Sequence, residues 1–91
     1  MGFLNSLFNS AQNAMMSQFG INRPRDAERV LENIIHSRRD EEEKVKHAKP
    51  ILMWLKKKSL SADRYAPEAK YVLDQVRDRY RFFLEENCIS I

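Results

Sequence analysis

The chain has 91 residues, 43% hydrophobic and 32% charged, enough for one small domain with a modest core. Its net charge of +3 permits acidic partners without arguing for them. The single cysteine, Cys88, excludes an internal disulfide framework.

Residues 1–22 carry no charged side chain, so all 29 charged residues (16 basic and 13 acidic) fall in the 69 that follow. Phe3, Leu4, Leu7, Phe8, Ala11, Ala14, Met15 and Phe19 recur three and four apart and predict an amphipathic helix. Its other face is Asn, Ser and Gln. Those polar residues break up any continuous apolar stretch, so we expect neither a secretory signal nor a bilayer span here. An apolar face edged by uncharged polar groups suits semi-buried docking, because such groups hydrogen-bond without the desolvation cost of charge.

Gly20 is the expected left-handed C-terminal cap of that helix. Asn22 is the expected cap of the next, with Pro24 in its first turn. Ala27, Val30, Leu31, Ile34 and Ile35 form one apolar stripe over residues 24–36. The polar run 36–46 allows two readings. Asp40 and Glu43 resemble a capping box, which restarts a helix. A heptad-like line through Ala27, Leu31, Ile34, Arg38, Glu41, Val45, Ala48, Leu52 and Leu55 favours one long helix instead, with two charged positions in its seam.

Pro50 predicts a kink or break. The dense apolar run 51–55 predicts a core helix closed by Lys56, Lys57 and Lys58. A last helix is expected over 67–86, with the stripe Ala69, Val72, Leu73, Val76, Tyr80, Phe83 and Leu84. Asn87 is its expected left-handed cap. Tyr71 and Phe82 lie off that stripe, as in a helix buried against a second layer or a helix that meets a partner. The tail 89–91 is expected to fold back on the helices, with strand addition to a carboxylate-capturing domain as the alternative.

The predicted architecture is all-α. A bundle of about three core helices spans 23–91, and a separate amphipathic helix over 1–22 acts as a docking arm. Leu31, Ile34, Leu52, Leu55, Val72, Val76 and Phe83 are the expected shared core.

Chemistry-bearing patterns are sparse. His36 and His47 stand about 16 Å apart along a continuous helix and cannot share an ion. Cys88 has no partner at ligand spacing. No nucleophile–base pair, phosphate-cradling glycine loop or zinc-protease signature is present. The expectation is therefore a non-enzymatic protein without cofactor or metal, in an intracellular, cytoplasmic setting. The leading expectation is a protein–protein interaction or assembly factor, self-associating through Phe3, Leu4, Leu7, Phe8, Met15 and Phe19, with Tyr71 and Phe82 as further interface candidates. One alternative is a peripheral membrane protein using the same N-terminal helix. Another is a weakly basic nucleic-acid binder, contacting phosphate through Lys56, Lys57 and Lys58, the one basic cluster without nearby acids in sequence.

Overall fold

Met16 to Ile21 form a helix-ending turn of the Schellman type. The Ile21 N–H donates to the Met16 carbonyl at 2.8 Å, and the Gly20 N–H to the Ser17 carbonyl at 3.0 Å. Gly20 has φ +75°, the left-handed conformation that glycine adopts without strain. The turn folds Ile21 back onto Met16, and both side chains are buried in the common core. These are the first elements of a computed structural model that describes residues 16–91. Phe3, Leu4, Leu7, Phe8 and Met15 lie outside the described residues.

Helix α1 is Pro24–Ile35. Pro24 stands at its first position, where its missing N–H costs nothing. The cap differs from expectation. The residue before the helix is Arg23, in extended conformation, and the capping acceptor is Asp26. One Asp26 oxygen accepts the backbone N–H groups of both Asn22 and Arg23 at 3.1 Å. A carboxylate in the first turn also complements the helix dipole, which a neutral Asn22 side chain would not. Pro24, Ala27, Leu31 and Ile34 form the buried face.

The long-helix reading is corrected by a break at 36–40. The Ser37 hydroxyl donates to the Ile34 carbonyl at 2.7 Å, ending α1. Helix α2, Glu41–Ser59, then starts after an extended Asp40. Arg38 and Glu41 are both exposed, so neither sits in a buried seam. Asp40 makes no side-chain cap, and the acids Glu41, Glu42 and Glu43 crowd the first turn instead.

Pro50 lies inside α2, and the helix continues through it. Proline forfeits one backbone bond in a helix interior. Here it is flanked by Ala48, Ile51, Leu52, Trp54 and Leu55, all buried, and tertiary packing holds the segment helical.

The expected last helix is two pieces, α3 Ala66–Arg79 and α4 Arg81–Glu86. Tyr80, at φ −119° and ψ 31°, interrupts the helical dihedrals. Its N–H still bonds the Val76 carbonyl at 2.9 Å, and its carbonyl accepts from Leu84 at 3.0 Å. The four-residue hydrogen-bond spacing therefore runs on across the interruption. Helix α4 ends in a second Schellman turn, Cys88 N–H to Glu85 and Ile89 N–H to Leu84. The left-handed residue is Cys88, at φ 54°, while Asn87 has φ −104°. Asn87 instead donates its side-chain amide to the Phe83 carbonyl at 2.8 Å. The tail turns back: Ile89 and Ile91 pack on the core, and Arg77 Nε donates to the Ile91 carbonyl at 3.0 Å.

The fold is a small all-α bundle in which α1, α2 and α3 each touch the other two. The described residues include no strand. Leu31, Ile34, Leu52, Leu55, Val72, Val76 and Phe83 are buried in one cluster, as the sequence predicts, joined by Met16, Ile21, Trp54 and Tyr80. No described helix is long and apolar enough to cross a membrane.

Candidate interaction surface

The buried stripe of α3–α4 runs through Ala69, Val72, Val76, Tyr80 and Phe83. At 100° per residue, Tyr71 and Phe82 lie about 130° away from its centre, on the outer side. The structure leaves both in solvent, Tyr71 at 54% and Phe82 at 78% exposure. Burial against a second layer of the described residues is therefore not the reason for their apolar character. They are eleven residues apart, which puts them in line and about 16 Å apart along the axis.

Tyr71 also walls a cleft of about 320 Å³ between α3 and α1. Arg25, Glu28, Arg29 and Glu32 supply the opposite wall, at the i, i+3, i+4, i+7 spacing of one helix face. Two sets of ion pairs fix the walls. Glu68 at the start of α3 faces Arg25 at 3.5 Å and Arg23 at 3.8 Å. Arg79 at its end faces Glu28 at 3.5 Å. Such partly exposed pairs contribute little stability, typically under ~1 kcal/mol each, but they set the relative position of the two helices.

At the closed side of this contact Tyr80 is buried with its hydroxyl unpartnered, its ring edge-on to His36 at 6.0 Å. Burial pushes its phenol above the usual value of 10.0, with the Glu32 carboxylate adding to the shift.

The N-terminal candidates divide. Phe19 is half-buried, packed on the core with its ring edge-on to His47 at 6.0 Å. Much of its apolar surface is thus used within the chain. The other five lie outside the described residues.

The lysine cluster is less free than its sequence suggests. Lys58 pairs with Asp63 at 3.2 Å and lies over the Trp54 ring at 5.4 Å. Asp63 also accepts the Tyr65 backbone N–H at 2.8 Å. That bond, then the Lys58 hydrogen bond, hold its carboxyl below the ordinary 3.8. Lys58 is therefore compensated by an acid from the loop beyond the helix. Lys56 and Lys57 are exposed.

His36 and His47 sit against different aromatic partners, Tyr80 and Phe19, and are not brought together. Among the described residues no group of three or more His, Cys, Asp or Glu could hold a metal ion. Sequence reasoning missed Met53 and Leu60, exposed at 58% and 78%. The available signal was spacing: Met53 falls off the buried 48–52–55 line of α2, and Leu60 follows it by seven. The cleft was missed as well, since its charged wall looks like any solvated helix face.

No family model, curated protein or solved structure matches this chain.

Proposed function

We propose that this chain is a small non-enzymatic helical interaction or assembly factor that self-associates, with the uncharged N-terminal helix as its principal docking element. The observation that supports the reading is the pair of exposed aromatics, Tyr71 and Phe82, on a helical face turned away from the core. Aromatic side chains are enriched at protein interfaces and supply much of the energy of their central contacts. The sequence pattern around Leu7 and Phe8 suits the helix-in-groove mode, in which one or two anchors dominate.

The test is the solution mass of the full chain across concentrations, beside Leu7→Asp. We expect a dimer or larger assembly for the wild type and a loss of mass for the variant. A wild type that stays monomeric at high concentration refutes the reading. Flotation of the wild type with small neutral vesicles, abolished by Phe8→Ala while oligomeric state is untouched, replaces it with a peripheral membrane protein.

A further inference from the structure

The outer face of α3–α4 is complementary to itself when two copies run antiparallel. Its central line is Tyr71, Gln75, Asp78 and Phe82, spaced four, three and four apart, the alternation of a helix–helix seam. Reversing one copy about a two-fold axis near residues 76 and 77 sets Tyr71 opposite Phe82 of the second copy. The same operation sets Gln75 opposite Asp78. By symmetry each match occurs twice, giving two aromatic layers and two amide–carboxylate layers.

The flanks agree in sign. In this register Asp74 faces Arg81 of the other copy, again twice. Neither Asp78 nor Arg81 has an ion-pair partner among the described residues, and both are exposed; Asp74 is exposed too and lies 3.3 Å from Arg77 of its own chain, a pair open to solvent that leaves its second oxygen for Arg81 of the other copy. At the ends, Glu85 arrives opposite Glu68. Glu68 already lies between Arg23 and Arg25, so the local charge there is two positive against one negative, and the arriving carboxylate is attracted. The cleft beside Tyr71 opens where the second copy's Phe82 ring lands, with Arg25 and Arg29 on its wall. A guanidinium beside an aromatic ring is a favourable contact.

We infer that the α3–α4 outer face is an isologous interface that pairs antiparallel with a second copy of this chain, Tyr71 layering on Phe82 and Asp74 on Arg81. This rests on the self-association reading and adds to it the partner, direction and register of one contact. The seam gives the direction: a parallel pairing in register would set Asp78 on Asp78, whereas the antiparallel pairing sets it on Gln75.

The experiment uses full-length chains in a Cys88→Ser background. Tyr71→Cys and Phe82→Cys are made separately, then oxidised alone and as a mixture. Antiparallel pairing keeps residue 71 about 16 Å from its own copy, too far for a disulfide, and brings it next to 82. The expected result is a disulfide-linked heterodimer in the mixture and none in either chain alone. Homodimeric disulfides in the single variants overturn the inference in favour of parallel pairing. A second arm needs no cysteine. Arg81→Asp weakens self-association about tenfold or more, and Asp74→Arg with Arg81→Asp restores it to within about threefold. Unchanged helicity and thermal midpoint show that the variants fold. If the wild type assembles, Leu7→Asp abolishes assembly and the mixture gives no disulfide, this interface is refuted while the proposed function stands. A monomeric wild type refutes both.

Discussion

Replacing Ile21 by Ala tests where the bundle begins. Ile21 is 2% exposed and belongs to the same buried cluster as Leu31 and Leu55, although it sits inside the uncharged stretch 1–22. The change removes three carbon groups, worth about 0.8 kcal/mol each on transfer, or about 2.4 kcal/mol. Incomplete collapse of the space left behind adds a cavity contribution. The site closes the bundle at a turn, where neighbours can relax, so we expect a loss of about 2–4 kcal/mol. A domain of this size has roughly 5–14 kcal/mol in total. The thermal midpoint should then fall by about 10–25 °C. Urea unfolding followed by far-UV circular dichroism reads the loss as a lower midpoint at unchanged slope. Phe82→Ala is the internal control: as an exposed side chain it should cost less than about 0.5 kcal/mol when measured dilute enough to dissociate any assembly. A loss below about 0.5 kcal/mol for Ile21→Ala would show that the bundle starts at Pro24 and that the whole of 1–22 is detachable.

Four further outcomes follow from local structure. Gly20→Ala meets no atom within 4 Å, so its cost is the left-handed backbone alone, about 1–2 kcal/mol by the same unfolding assay. Cys88→Gly relieves a non-glycine residue at φ 54° and should stabilise by about 0.5–1 kcal/mol. Tyr80→Phe deletes a buried, unpartnered hydroxyl and should be neutral or stabilising. The phenol's raised value keeps its contribution complete below pH 10.0 and loses it as pH climbs towards the folded value, so Tyr80→Phe should also lessen the alkaline fall in midpoint. Asp63 has the opposite sign. Its lowered value makes its contribution complete above 3.8 and lost as pH falls through the lower, folded value, an acid-side loss that Asp63→Asn removes.

The core was legible because its signal is periodic. Seven side chains predicted from three separate stripes meet in one cluster, since a 3.6-residue repeat of apolar groups has only one face to bury. The boundaries were less legible. The line that suggested one long helix through 36–40 counts positions and ignores the cost of burying Arg38 and Glu41, and that cost decides the break. Nothing in the stripe of the last helix marks Tyr80, because Val76, Tyr80, Phe83 and Leu84 keep helical spacing across the interruption. Pro50 carried a strong local signal for a kink or break, and packing overrode the break. Gly20 announced its turn by residue type. Cys88 adopts the same backbone geometry with no such sign, and the type-based expectation settled on Asn87 instead.

The surface divides along the same line between what one helix shows and what only packing makes. Tyr71 and Phe82 could be picked out because each helix reports its own off-stripe aromatics. The pairing of Lys58 with Asp63 crosses the end of α2 into a loop, and its partner choice depends on how Asp63 is held by the Tyr65 backbone. The cleft requires α1 and α3 to lie side by side. Its walls are set by Glu68 against Arg23 and Arg25, and by Arg79 against Glu28, contacts between residues forty or more apart in sequence. In sequence Arg79 stands beside the acid Asp78. In the structure it turns to α1, and Asp78 is left on the outer line between Tyr71 and Phe82. That exchange leaves the Arg77–Asp74 pair as the local ion pair of this face and Asp78 and Arg81 as charges still to be matched.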